Sequence, residues 1–229
     1  MRAALRNIVG WAAVVALVMA TPINAKPASD PERADLVEWL AGYVAAKPGL
    51  STNQLVGERK FQQLLDGAVP NPMPLYLGTS QHEEMLRHHI GILLGAPPNP
   101  VRMVDKRYIV ASACRPHFCP EKGFVWVDTD VGHLVIVIRH FLYQDQRRLV
   151  YQDPRRALDN GDLMIASKDY ADLNDLPEAF YQSLAAWLEA ERNSTPGYNI
   201  KPLVIRFSGS QDIITVVTDA YHRIMKKYN

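Results

Sequence analysis

Cysteine is nearly absent from this chain: Cys114 and Cys119 are the two among 229 residues. That excludes a disulfide-dense scaffold, and with no second cysteine cluster it excludes the four-ligand sites of structural zinc. Also missing is any apolar run of about 20 residues, the length a spanning helix needs; the longest, Ile8–Ala20, falls short. Neither sign of charge predominates, with 25 Lys and Arg against 24 Asp and Glu. Such a balance argues against a nucleic-acid binder, which would carry a basic face, and leaves no strong global field to steer a charged partner. Internal repeats and low-complexity tracts are lacking too, which leaves an ordinary globular domain.

What is present at the N-terminus has the three-part layout of a secretory signal peptide. Arg2 and Arg6 give a positive first region, Ile8–Ala20 the apolar one, and small residues offer cleavage after Ala20 or Ala25. The second is preferred, because Pro22 breaks the helix upstream and Lys26-Pro27 opens a polar segment. No cysteine follows the apolar region, so a lipoprotein anchor is not expected. The expectation is a signal over residues 1–25 and a periplasmic or secreted remainder without a membrane anchor. Loss of Arg2 and Arg6 lowers the basic count from 25 to 23, against 24 acidic residues.

Residues 26–229 are expected to form one domain. Apolar residues at helical spacing predict a helix over Asp35–Ala46, with Leu36, Val37, Trp39, Leu40, Tyr43 and Val44 on the stripe, stopped by Lys47-Pro48-Gly49. A second helix is predicted over Val56–Leu65, with Phe61, Leu64 and Leu65 inward. Pro70, Pro72 and Pro74 then make a linker, and Gln81–Leu94 reads as a third helix. The period changes in the centre. Tyr108–Ala113, Phe124–Asp128 and Leu134–Phe141 read as strands of a meander, with a turn at Asp130-Val131-Gly132. The polar segment 144–175 holds short strand candidates at Leu149–Tyr151 and Leu163–Ala166. Pro177 opens a helix over Glu178–Arg192 with Phe180, Leu184, Trp187 and Leu188 on one stripe. Leu203–Phe207 is a strand. Gln211–Tyr228 fits a helix, although its Ile213–Val217 half fits a strand equally well. The fold class is α+β, an antiparallel sheet flanked by helices.

The chemistry-bearing segment is Cys114-Arg115-Pro116-His117-Phe118-Cys119-Pro120. Two cysteines in an exported chain are expected to be oxidised. A ring over so few residues removes little chain entropy, about 2 kcal/mol in the loop model. Its larger effect is local: with Pro116 inside and Pro120 outside, it restricts the backbone that presents His117, and a constrained loop loses less freedom on docking. Four readings stand. One is a stapled turn with an exposed histidine. Another makes Cys114, His117 and Cys119 ligands for zinc or haem, against which stands the absence of a fourth ligand cluster. A third makes one cysteine a nucleophile with His117 as base, which the ring would forbid. The fourth is a rigid loop that inserts a histidine into another protein's cleft.

Cys-Arg-Pro-His-Phe-Cys resembles the Cys-Lys-Pro-His-Asp-Cys signature of the Ivy family, bacterial inhibitors of vertebrate C-type lysozyme. The resemblance covers about residues 85–142 and includes the strand before the ring and the strand pair after it. It implies a periplasmic α+β protein, in many members a homodimer, whose ring enters the lysozyme cleft so that its histidine meets the catalytic glutamate and aspartate. On that resemblance His117 is the inserted residue, Arg115 a flanking cation, Pro116 and Phe118 loop contacts, and Cys114 with Cys119 the clamp. Two features depart from the family. Phe118 stands where it has an acidic residue, and this chain is longer, with an N-terminal helical part and the polar segment 144–175 as elaborations.

Other residues read as structural. His82, His88 and His89 lack the His-Glu-x-x-His pattern of a two-ligand helix site. His133 and His140, seven apart on a strand, point to opposite faces. Trp39, Trp126 and Trp187 read as core. Asp153, Asp159, Asp162, Asp169, Asp172 and Asp175 make the polar segment acidic, a solvated surface or part of a rim facing a basic partner. Asn193-Ser194-Thr195 is a glycosylation sequon only in a eukaryotic export route. Neither a nucleophile elbow nor a paired-carboxylate motif is present, so the chain is expected to bind rather than catalyse and to need no cofactor or metal. The expected partner is a lysozyme or another cell-wall glycosidase; the alternative is a different cell-envelope partner of an Ivy-like domain.

Overall fold

A computed structural model describes residues 31–69, 74–75, 84–141, 161–194, 204–208, 214–218 and 226–227. The signal peptide, His82 and the Leu149–Tyr151 strand lie outside the described residues. Helices α1 (Pro31–Ala45), α2 (Thr52–Val56), α3 (Arg59–Ala68) and α4 (Leu86–Leu93) come first. A two-residue pair, β1 (Pro74–Leu75) with β2 (Glu84–Met85), precedes α4. The main sheet comprises β3 (Arg102–Val104), β4 (Tyr108–Arg115), β5 (Phe118–Asp128), β6 (His133–Phe141), β7 (Gly161–Ala166), β8 (Val204–Ser208) and β9 (Ile214–Thr218), with α5 (Glu178–Ser194) between β7 and β8.

Spatial order equals chain order from β3 to β9. Strands β3 to β7 pair antiparallel, the meander the sequence predicts, so the fold is α+β with helices flanking an antiparallel sheet. One addition is the parallel pairing of β7 with β8. Parallel neighbours need a long crossover, and α5 supplies it.

Helices cover both faces of this sheet, which explains its composition. Strands buried on both sides read as continuous apolar runs rather than alternating ones, as in Phe124-Val125-Trp126-Val127 and Leu134-Val135-Ile136-Val137-Ile138. On one face Ile109, Ala111, Val125, Val127 and Ile136 pack with Leu40, Phe61, Leu65, Ile90 and Leu93 from the N-terminal helices. On the other, Val110, Phe124, Trp126, Val137 and Ile165 pack with Phe180, Leu184, Trp187 and Leu188 of α5. Aromatic rings interlock there: Phe180 meets Trp126 edge-on at 5.8 Å and Trp187 lies 5.1 Å from Phe124. Burying each such side chain contributes about 1.5–3 kcal/mol.

Several boundaries differ from the sequence reading: α1 starts at Pro31 rather than Asp35, β5 at Phe118 rather than Phe124, and β3 is an additional strand. The Val56–Leu65 helix is two helices, because Gly57 closes α2 on the carbonyls of Asn53 and Leu55 before α3 starts at Arg59. The third helix begins at Leu86 rather than Gln81, with Glu84–Met85 extended. Ile214–Thr218 is a strand, where its β-branched residues fit a pleated surface better than a helix. The hairpin end of the sheet is fixed by two contacts. A Cβ at Gly123 would meet Leu94 Cδ2 at 3.0 Å and Leu93 Cβ at 3.2 Å, so a larger residue there would have to push the end of α4 back by a few tenths of an ångström. The proline-rich stretch after α4 lies along β4, with Ala96 N–H donating to the Cys114 carbonyl at 3.1 Å and Asn99 N–H to the Ser112 carbonyl at 2.9 Å.

Candidate functional site

Strands β4 and β5 form a hairpin whose register explains the cysteine ring. Pairing runs from Tyr108↔Asp128 to Cys114↔Lys122, then jumps to Arg115↔Phe118. The jump leaves Cys119, Pro120 and Glu121 outside the register as a bulge on β5. Only Pro116 and His117 remain as the turn. Proline at the first central position and a positive φ at the second are what a type II turn requires, and His117 has φ 64°. Histidine is among the few side chains enriched in that region.

Cys114 and Cys119 are bonded, with Cα atoms 4.8 Å apart across the bulge. Cys114 is buried in the sheet, whereas Cys119, Pro116 and His117 are exposed. Phe118 is half-buried. The ring therefore joins a buried strand to an exposed tip, and the imidazole sits at that tip, not folded into its own domain. Arg115 is only partly available: its guanidinium Nη1 donates to Glu121 Oε2 at 2.8 Å.

Behind the hairpin lies a set of buried charges. Glu121 has no exposed surface, Arg139 is 5% exposed and Glu191 7%. Arg139 Nε donates to the Pro120 carbonyl at 2.9 Å, tying the bulge to β6. Lys122 Nζ contacts Glu191 Oε2, tying β5 to α5. Burial, and then the Arg139 charge, push the Lys122 ammonium down to about 8. A cleft of about 320 Å³ opens beside this pair, lined among others by Arg102, Ser112, Lys122, Trp187 and Glu191.

The chain matches no family model, no curated protein and no solved structure.

The structure thus brings Cys114, Arg115, Pro116, His117, Phe118 and Cys119 into one hairpin. The sequence reading missed Glu121, Lys122, Arg139 and Glu191. Their signals were present: Glu-Lys interrupts the run into β5, Arg139 ends the apolar core of β6, and Glu191 sits four residues after Trp187 on the same helical stripe. Three other histidines with described side chains, His88, His89 and His133, do not join the site. His88 is exposed and His89 buried on α4, while the His133 ring packs edge-on against Tyr170 at 5.1 Å. Trp126 and Trp187 are core residues, and Trp39 packs partly buried against the core. Asp128 is 3% exposed and accepts both Nε and Nη2 of Arg107 at 2.7 Å. Among the described residues no three His, Cys, Asp or Glu side chains come together as a metal site, and no helix is long and apolar enough to cross a membrane.

Proposed function

We propose that this protein is an exported inhibitor of a C-type lysozyme or a related cell-wall glycosidase, acting by insertion of the His117 hairpin into the carboxylate-lined cleft. The observation that carries the reading is the exposed His117 at the tip of a ring-closed turn rooted in the central sheet. Two carboxylates around an imidazole favour its protonated form. Its hydrogen bonds to them are then charge-assisted, about twice as strong as neutral ones. The ring restrains the turn before docking, so little ordering entropy is lost on binding.

Binding, not catalysis, is the activity in this reading. Its test is a lysis assay in which the secreted chain is titrated against a C-type lysozyme, repeated with a chitooligosaccharide filling the cleft. The expected result is inhibition that the oligosaccharide relieves competitively. Full lytic activity at saturating protein would remove lysozyme as the target. One feature favours a second reading, an Ivy-like module for another envelope partner: Phe118 puts a half-buried apolar ring where the family carries a charge.

A further inference from the structure

The weak point of the hairpin is its bulge, because Cys119, Pro120 and Glu121 have no cross-strand partner in the β4–β5 register. A break in the ladder at the base of a two-residue turn leaves side chains to fix the tip. The disulfide from Cys114 to Cys119 is one tie. A second crosses the same bulge, from Arg115 beside the turn to Glu121 at the bulge's far end, at 2.8 Å, and it also has one partner on each side of the turn.

This second tie is not an ordinary surface ion pair. Exposed pairs hold little, since water screens them and both side chains are free to leave. Here the carboxylate has no exposed surface at all, while 40% of the Arg115 side chain remains exposed. A carboxylate so buried stays ionised only against a nearby cation. Releasing Arg115 would take a cation away from a carboxylate that water does not reach, a larger cost than at a surface pair, so the guanidinium is held in place. Buried ion pairs add little net stability against apolar replacements, and in some proteins they select one conformation over its neighbours. The conformation selected here is the closed base of the turn, with Arg115 one residue from Pro116 and two from His117. Arg139, bonded to the Pro120 carbonyl, braces the same bulge from β6.

We infer that Glu121 is a positioning residue for the hairpin: through Arg115 it keeps His117 presented even when the Cys114–Cys119 bond is open. The disulfide and the ion pair are parallel clamps, either of which suffices. The inference deepens the inhibitor reading but concerns the free protein first, so its test begins without a partner.

The experiment compares the full exported chain with its Glu121→Gln and Arg115→Gln variants, each oxidised and reduced. Arg115→Gln severs the same clamp from its half-exposed end and serves if Glu121→Gln does not fold. Backbone amide order parameters at His117 and Phe118 are the first readout. Parallel clamps predict values near about 0.85 for oxidised wild type, reduced wild type and the oxidised variants, and below about 0.6 only for the reduced variants. Arg115→Lys, which keeps the charge, should stay rigid when reduced. A purely structural role would instead lower all amides together. Reduced wild type as flexible as the reduced variants, or reduced variants as rigid as wild type, would overturn the inference. The second readout is lysozyme inhibition, taken with Glu121→Gln because Arg115 flanks the inserted histidine and its loss would weaken binding directly: reduction alone, or Glu121→Gln alone, should weaken it by no more than about threefold, and the two together by about thirtyfold or more, beyond the product of the single effects. If even the oxidised wild type fails to inhibit, the inhibitor reading falls while the order parameters still decide the clamp.

Discussion

Replacing His117 removes two things at once, and the structure allows them to be separated. The residue sits at φ 64°, in the left-handed region. An L-residue without special tolerance is disfavoured there by about 1–2 kcal/mol. Alanine at 117 therefore loses the imidazole and also strains the turn. Asparagine tolerates the left-handed region and glycine occupies it freely, so both lose the imidazole with the turn intact. If His117 makes at least one charge-assisted hydrogen bond in the complex, its removal costs about 1.5–3 kcal/mol, or roughly ten- to a hundredfold in the inhibition constant. All three variants should fall by at least about tenfold in a lysozyme inhibition assay. Unfolding midpoints in urea should rank glycine and asparagine above alanine, separated by about 1 kcal/mol. Retention of near-wild-type inhibition by the asparagine and glycine variants, with loss only in alanine, would refute the reasoning, because the turn rather than the imidazole would then be the active element.

Two further predictions concern the frame. Phe180→Ala empties a fully buried site between Trp126 and Phe124 and should destabilise the protein by about 3–5 kcal/mol in denaturant titrations; a loss below about 1 kcal/mol would mean that α5 does not cover this face as described. Lys122 carries a pH signature of defined sign: its ammonium is lowered from 10.5 to about 8 in the fold, by burial first and Arg139 second. Between those values the unfolded chain binds more protons than the folded one, so this group's contribution to stability increases as pH rises through that window. The Glu191 contact opposes the trend without removing its cause. The urea midpoint of wild type relative to Lys122→Met should therefore climb between about pH 8 and 10.5, and parallel curves would contradict the assignment.

Much of the frame was legible in the sequence because period and composition report it directly. Phe180, Leu184, Trp187 and Leu188 are spaced for one helical face, and that face is the one buried. The apolar runs of β5 and β6 are those of strands covered on both sides. Where local signals conflicted, tertiary pairing decided: Ile214–Thr218 carries a helical spacing and a β-branched composition, and its pairing with β8 settles it as a strand. The parallel β7–β8 contact had no local signature at all. It follows from how a helix crosses over, not from either strand. The hairpin divides in the same way. Its turn is readable from Cys-x-Pro-His-x-Cys, but the bulge depends on a register set by the whole ladder. Glu121 looks like a solvated residue beside a proline until that register turns it inward.

The site's position in the sheet bears on how it can act. A loop at the edge of a fold yields when a partner presses on it, and part of the contact energy is spent on reshaping it. The His117 turn instead continues β4 and β5, which share eight register pairs and run through both hydrophobic layers. Elements with buried contacts on both faces open only near the free energy of global unfolding, whereas exposed turns open readily. A force on the imidazole is therefore met by the ladder itself, through a covalent ring whose inner cysteine is buried. The polar cost of placing Glu121, Lys122, Arg139 and Glu191 beneath this turn makes little sense as a gain in stability, since apolar residues of similar size would pack there at least as well. It makes sense if one backbone conformation at the tip has to be selected over its neighbours, which is what a rigid insert into a preformed cleft requires.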